Sequence, residues 1–342
     1  MPHASKKNLG SNLLSSAAVC TAVMCIARIL RQQMMKLNWL LYRIMLFSRF
    51  IRSGLGSHHK TLVPPDWSRN ILAVLPFCLF IVGCTTERST MRSTAFYYGH
   101  AVPVATLAAY QRIVVQADHV ENRAELEVYG AEVYAYLSVG EAEDWRPTSV
   151  ALSPNLFIGS NPAWRNRIAD LTQPGWGQYL LEERMAPLWD TGYRGFFLDT
   201  LDSYEIAVSD AQSKASQANA LVALIRAMHQ RFPGVKLLFN RGFDLLPEVG
   251  SLASGLVAES LYRSFNPVTS EYTEVSDADR SWLIARLNNA RKSYGLPITV
   301  IDYVPNYDSR LAQDTALRIK SLGYFPWVAN PALDVVAIGP VQ

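Results

Sequence analysis

The chain has 342 residues, 49% of them hydrophobic, which is enough for one large domain or two ordinary ones. Its net charge of +3 is unevenly spread: residues 1–94 contain 12 Lys or Arg and 2 Asp or Glu, whereas residues 95–342 contain 20 and 27. The acidic balance of the longer part argues against nucleic acid as its partner. Because all four cysteines lie in residues 1–94, the longer part has no disulfide, thiolate metal site or cysteine nucleophile.

A short apolar run in the basic part predicts export. Residues 71–83 are apolar throughout and follow Lys60 and Arg69. A bilayer span needs about 20 residues, so the run suits the core of a signal peptide better. It ends at Gly83-Cys84, which resembles the lipobox of bacterial lipoproteins, in which the cysteine is acylated. We therefore predict a signal segment at residues 67–84, lipidation at Cys84 and a linker at residues 85–94; a simple secretory signal or a membrane anchor are the alternatives.

Residues 1–66 have two interpretations. They contain an apolar stretch at residues 13–30 and a basic, aromatic segment at residues 36–52. A signal peptide begins near its own start, which favours initiation at Leu62 or Val63 and makes this segment an incorrectly assigned extension. Alternatively, a basic amphipathic helix here associates with the membrane surface.

Eight short apolar runs follow, separated by longer amphipathic stretches. They predict strands at residues 96–99, 113–117, 133–138, 196–199, 236–240, 256–259, 298–303 and 324–328. Several are apolar throughout, as expected for strands that are covered on both faces. Helical spacing predicts helices at residues 177–190, Ala211–Arg231, Asp277–Tyr294 and Ser309–Ser321. Eight strands in about 250 residues predict an α/β fold of the (β/α)₈ TIM-barrel class, with a doubly wound open sheet as the alternative.

Polar residues concentrate where these strands end, which is where such barrels carry their chemistry. Asp199 and Glu259 each end an apolar strand directly, and a carboxylate in that position is costly to desolvate. Glu143, Asp144 and Asp202 are instead expected to cap helices or pair with arginines. The remaining candidates for the site are Tyr98, Asp118, Glu141, Asn240, Tyr262, Asp302, Tyr303 and Trp327.

Two carboxylates beside aromatic side chains are the usual equipment for cleaving glycosidic bonds. Asp199 and Glu259 lie two strands apart, roughly 10 Å between Cα atoms at ~4.8 Å per strand. Inward side chains from these positions fit either a retaining or an inverting pair. The aromatic candidates would stack on sugars, although each is also a plausible core residue. We expect no cofactor and no metal, because carboxylates at metal spacing, a dinucleotide fingerprint and a G-x-S-x-G elbow are missing from the sequence.

Several segments carry a family resemblance, in order along residues 95–340. They are AFYYG, AYLSVGEAEDWRP, GYRGFFLDTLDSY, LLFNRGFDLLPEV, VAESLY, IDYVPNYD and GYFPWVANPALDVVAIGP. They resemble glycoside hydrolase family 114, the TIM-barrel endo-α-1,4-polygalactosaminidases. The resemblance implies that Asp199 is the nucleophile and Glu259 the acid/base.

The same resemblance implies a substrate and a location. The substrate would be an α-1,4-linked galactosamine and N-acetylgalactosamine exopolysaccharide of the Pel type found in biofilms, which is cationic where deacetylated. With the signal segment, we expect a periplasmic or outer-membrane lipoprotein, with polysaccharide export machinery as a candidate partner. The alternative is a non-catalytic glycan-binding barrel in polysaccharide export.

Overall fold

A computed structural model of the chain describes residues 93–128 and 130–336. The predicted extension (residues 1–66), the signal segment (67–84) with Cys84, and nearly all of the linker (85–94) lie outside these residues. Thr94, which we assigned to the linker, is the first residue of the first strand. No helix in the described ranges combines the length and apolar character that a membrane crossing requires.

Eight parallel strands form one sheet in chain order. We label them β1 to β8: Thr94–Tyr97, Arg112–Val115, Glu132–Ser138, Gly195–Asp199, Lys236–Asn240, Ala253–Glu259, Ile298–Tyr303 and Phe325–Ala329. Each predicted strand corresponds to one of these, with ends that differ by at most three residues. Every neighbouring pair is parallel.

The sheet curls into a nearly closed barrel, so the open-sheet alternative is wrong. β1 and β8 lie against each other, and the amide of Tyr98 just after β1 donates to the carbonyl of Leu333 beyond β8, at 2.7 Å. The Phe96 ring on β1 also lies 5.3 Å from the Phe197 ring on β4. These strands are not neighbours in the sheet, so their rings meet in the barrel interior.

Trp327 belongs to this interior packing. Its ring lies 6.4 Å from Phe96 and 5.4 Å from Tyr110, and only 3% of the residue is exposed. Our prediction that Trp327 stacks on substrate is therefore corrected: burial of a large indole stabilises the barrel core.

Four long helices cover the second half of the barrel. The first, α1, runs through three consecutive pieces, Pro174–Gln178, Tyr179–Met185 and Ala186–Asp190. Its middle piece is π-helical and directly precedes the piece that contains Pro187, which cannot donate an α-helical hydrogen bond. The helices α2, α3 and α4 span Ala211–Arg231, Asp277–Tyr294 and Ser309–Ser321, as predicted.

Short helices occur in the remaining connections and also beside α1 and α2. They are the α-helices Val104–Leu107, Arg123–Glu127, Pro147–Val150, Tyr204–Ala207 and Leu246–Val249, and the 3₁₀ turns Ala117–His119, Pro154–Leu156, Phe243–Leu245 and Gly250–Leu252.

Two antiparallel sheets extend the loops at the carboxyl ends of the strands. Between β3 and α1, Glu141–Ala142 pairs with Asn166–Ala169, which pairs with Phe157–Asn161. We call this three-stranded sheet the flap. After β6, Arg263–Asn266 and Glu271–Glu274 form a hairpin. The pattern of apolar residues predicted neither sheet.

Asp302, a predicted substrate-binding residue, instead holds the turn after β6. It is completely buried on β7. One carboxylate oxygen accepts from the amide of Leu261 at 2.6 Å, and the other accepts from those of Tyr262 and Arg263 at 2.8 and 3.0 Å. A carboxylate with both oxygens occupied by the backbone and no open face does not bind substrate, so this prediction is corrected.

Replacing Asp302 should destabilise the barrel. Asp302→Asn exchanges one acceptor oxygen for an NH₂ group and leaves a buried backbone N–H without an acceptor. We expect a loss of about 2–4 kcal/mol in the free energy of unfolding, measured by urea denaturation. Asp314→Asn on the exposed face of α4 is the matched control, with a change near zero; equal stability of the two variants would contradict the role of Asp302.

Candidate active site

Three neighbouring strands bring Asp199, Asn240 and Glu259 together at the mouth of the barrel. They are the last residues of β4, β5 and β6. The Asn240 side-chain nitrogen donates to Asp199 Oδ1 at 2.7 Å and to Glu259 Oε1 at 2.8 Å. One amide nitrogen therefore bridges the two carboxylates that the sequence predicted as a pair.

The residue after each of these three has a left-handed backbone. Thr200, Arg241 and Ser260 have φ values of 63°, 53° and 64°, a region that residues other than glycine rarely adopt. The amides of Arg241 and Ser260 donate at 2.8 Å to the next strands, and the Thr200 amide donates to Asp199 Oδ1 at 2.8 Å. Backbone strain of this kind concentrates at functional sites, and here it recurs directly beside each site residue.

Two tyrosines donate to the carboxylates from the outer sides. The Tyr136 hydroxyl on β3 donates to Asp199 Oδ2 at 2.9 Å, and the Tyr303 hydroxyl on β7 donates to Glu259 Oε2 at 2.5 Å. Burial, and then the nearby carboxylates, raise the pKa of both tyrosines well above the ordinary value. Both hydroxyls therefore keep their protons as donors. The ring of Tyr98, another predicted site residue, lies 5.3 Å from that of Tyr136.

Asp199 holds a proton more tightly than an ordinary aspartate. Burial, and then the negative charge of Glu259, raise the pKa of Asp199 to about 7, although hydrogen bonds from Asn240, Thr200 and Tyr136 oppose the rise. Two buried carboxylates this close cannot both ionise easily.

A cavity of about 920 Å³ opens above the pair, with an acidic lining. Tyr98, Tyr136, Asn240 and Tyr303 contribute to its wall. The charged residues that line it are seven carboxylates and two arginines: Glu141, Glu143, Asp199, Asp202, Glu205, Asp244, Glu259, Arg241 and Arg286. Such a lining attracts cationic ligands.

Glu141 borders the cavity, but its carboxylate is occupied. Asn161 and Ser203 donate to Oε1 at 2.8 and 2.6 Å, and Asn166 donates to Oε2 at 3.0 Å. The residue is 2% exposed. Our prediction placed Glu141 in the groove as a substrate-binding residue; the structure makes it a link between the flap and the loop after β4.

Two further predicted residues do not line the cavity. The Asp118 carboxylate forms an ion pair with Arg146. Tyr262 is 7% exposed, and the Arg318 guanidinium lies 3.9 Å above its ring centre. Both predictions are corrected, because these side chains are committed to contacts within the protein.

The pairing expected for Glu143 and Asp144 is found, with Arg146 and Arg167, whereas Asp202 lines the cavity.

Sequence reasoning missed Tyr136 and three tryptophans of the cavity wall, Trp145, Trp164 and Trp282. Tyr136 was detectable, because it lies two residues before Ser138 on a predicted strand and therefore on the same face. Trp145 and Trp164 belong to loops whose folding the apolar pattern did not indicate.

Comparison with known proteins decides the family. The family model described as glycoside-hydrolase family GH114 matches residues 89–340. The chain belongs to this family. It is a glycoside hydrolase. Its strand-end carboxylates meet at the mouth of the barrel, as described above.

Two solved structures and one curated protein extend the comparison. The glycoside hydrolase domain of PelA from Pseudomonas aeruginosa is 37% identical, with a TM-score of 0.65 over 71% of this chain and 96% of that domain. Ega3 from Aspergillus fumigatus, solved in complex with galactosamine, is 16% identical, with a TM-score of 0.52 over 72% of this chain and 93% of that one, and supports the fold. An uncharacterized Thermotoga maritima protein is 22% identical over 80% of this chain and 94% of its own length.

The bridging amide should set the pH range of activity. The hydrogen bond from Asn240 lowers the pKa of Asp199, so Asn240→Ala raises that pKa further above its ordinary value. Asp199 then stays protonated to higher pH, whereas a nucleophilic Asp199 must be ionised. We expect the acidic limb of kcat/KM to move to higher pH in the variant while kcat falls.

The matched control is Asn166→Ala, which removes another amide of the cavity wall that binds Glu141 instead of the pair. Its acidic limb should stay where it is. An unmoved limb in Asn240→Ala would mean that the amide does not control the ionisation of Asp199.

Proposed function

We propose that this GH114 protein is an endo-acting hydrolase of α-1,4-linked galactosamine and N-acetylgalactosamine exopolysaccharide of the Pel type. In this proposal, Asp199 and Glu259 are its two catalytic carboxylates and the anomeric configuration is retained. The observation that carries the proposal is the single Asn240 nitrogen that contacts both carboxylates.

That contact limits the separation of the carboxylates. Since one nitrogen lies 2.7 Å from an oxygen of Asp199 and 2.8 Å from an oxygen of Glu259, these two oxygens are at most about 5.5 Å apart. Retaining enzymes hold their carboxyl groups ~5–5.5 Å apart, and inverting enzymes need ~6.5–9.5 Å for an intervening water. The separation supports retention.

The reaction would run in two displacements. Glu259 gives its proton to the glycosidic oxygen as the bond from that oxygen to the anomeric carbon breaks, and an Asp199 oxygen forms a bond to this carbon. Glu259, now ionised, takes a proton from water; the water oxygen bonds to the anomeric carbon and releases Asp199.

The hydrogen bonds favour these roles over the reverse. Asp199 accepts from three donors on two oxygens, an arrangement that stabilises an anionic, fixed nucleophile. The raised pKa of Asp199 opposes its ionisation, and these three donors counteract the rise because they stabilise the anionic form.

The cavity chemistry supports an amino-sugar substrate. Seven carboxylates and two arginines line it, so a polymer that carries ammonium groups would be attracted. The GH114 membership and the 37% identity to the glycoside hydrolase domain of PelA point to the same class of substrate.

The first test replaces each carboxylate and supplies an external nucleophile. We expect Asp199→Ala and Glu259→Ala each to lower hydrolysis of the polymer by about 10²–10⁴-fold or more. With an activated aryl glycoside, azide should rescue Asp199→Ala with an inverted glycosyl azide and Glu259→Ala with a retained one.

Product configuration is read by proton NMR, and mass spectrometry compares products from acetylated and deacetylated polymers. If Asp199→Ala gives the retained azide and Glu259→Ala the inverted one, the roles of Asp199 and Glu259 are exchanged. Undiminished hydrolysis in both variants would remove the pair from the mechanism.

We further propose that the protein works in the cell envelope, periplasmic or bound to the outer membrane, near polysaccharide export machinery. The support is the sequence of residues 67–84, with a signal-like apolar run before Cys84.

A cysteine substitution tests this location. If Cys84 is acylated, Cys84→Ser should lose labelling by radioactive palmitate and move from the membrane to the soluble fraction, because acyl chains anchor proteins through burial of their methylenes. Cys78→Ser, inside the apolar run, is the matched control and should keep the label. Label retained by Cys84→Ser would contradict the lipoprotein assignment.

A further inference from the structure

Exposed tryptophans occur at one place in the described part of the chain. Trp145, Trp164 and Trp282 are 58%, 58% and 48% exposed, and all three line the cavity above the carboxylate pair. Large apolar side chains that are exposed together mark binding surfaces. The indole face is a platform for the C–H face of a sugar ring and for a cation.

The three indoles reach the cavity from opposite sides of Asp199. Trp145 follows the first flap strand and Trp164 lies in the four-residue turn between the other two flap strands, and the flap follows β3. Trp282 is on α3, and its ring contacts Phe243, just after β5, edge-on at 5.8 Å. Asp199 ends β4, the strand between β3 and β5.

The flap turn that carries Trp164 is fixed at its base. Asn161 and Asn166 are paired residues at the two ends of this turn, and both donate to the buried Glu141 carboxylate. Ser203 from the loop after β4 donates to the same carboxylate at 2.6 Å. Glu141 therefore ties the Trp164 turn to the loop that directly follows Asp199.

Charge and size both fit a chain of amino sugars in this cavity. Asp202, Glu205 and Asp244 line it near Tyr204, whose pKa is raised to about 12 by burial and then by these three carboxylates. At about 920 Å³ the cavity is at the upper end of the ~300–1,000 Å³ range of ligand sites. It has room for more than one sugar ring.

We infer that Trp145 and Trp164 on one side, and Trp282 on the other, are stacking platforms that hold an amino-sugar polymer across the carboxylate pair. Glu141 is a positioning residue that acts through Trp164. This inference rests on the proposed function and deepens it: platforms on both sides of the reacting bond select an internal bond of a long chain over a terminal one.

Binding to an inactive variant tests the platforms directly. In full-length Glu259→Gln protein, the added changes Trp145→Ala, Trp164→Ala and Trp282→Ala should each weaken binding of partly deacetylated α-1,4-galactosamine polymer by roughly tenfold, measured by calorimetry. Tyr307→Ala, which removes an aromatic ring that is 89% exposed and does not line the cavity, should leave the affinity unchanged.

Turnover by the otherwise native enzyme gives a second readout. The same variants should raise KM for the polymer by a similar factor, whereas Tyr307→Ala should leave this KM unchanged. Tryptophan variants that match Tyr307→Ala in both measurements would overturn the inference. A polymer that neither binds Glu259→Gln nor is cut by the native enzyme would instead overturn the proposed function.

A double-mutant cycle tests Glu141. If it acts through Trp164, Glu141→Gln should raise KM for the polymer in the native background but add little in the Trp164→Ala background. Glu141→Asp should restore part of the loss. Equal effects of Glu141→Gln in both backgrounds would show a general structural role and remove Glu141 from the inference.

Discussion

Two buried carboxylates that share one amide donor impose the main constraint on this structure. At ~5 Å and an effective dielectric constant near 20, two unit negative charges repel by about 3 kcal/mol. Asn240 reduces this cost, because its single nitrogen contacts both groups, and the tyrosines on β3 and β7 donate from the outer sides. What repulsion remains contributes, after burial, to the raised pKa of Asp199.

The barrel satisfies this constraint because its strands are parallel. β4, β5 and β6 are consecutive neighbours that all end at the mouth, and Asn240 pairs with Val257, which places Glu259 two residues further along β6. The left-handed residue after each one turns the chain away immediately, which leaves the three side chains directed over the cavity. A one-residue shift in any of these strands would direct its end residue to the opposite face. The packing of Phe96, Phe197 and Trp327 inside the barrel opposes such a shift.

The sequence predicted the barrel well, because strands covered on both faces are apolar throughout and are easy to recognise. It also predicted the carboxylate pair, since Asp199 and Glu259 end such strands. It failed where the role of a side chain depends on its partners. Asp302 ends a strand in the same way, yet three backbone amides occupy it. The flap and its tryptophans were not predicted, because short polar hairpins lack the periodicity that marks a buried element.

The buried carboxylates differ in what donates to them, and this difference separates their roles. Asp302 accepts only from the backbone of one turn, so its loss acts on stability. Glu141 accepts from the side chains of rim loops, so its loss acts on the position of those loops. Asp199 and Glu259 accept from barrel side chains that themselves line the cavity. In the proposed reaction, the strands set the geometry of the proton donor and the nucleophile before substrate enters the cavity, and the rim loops select the polymer.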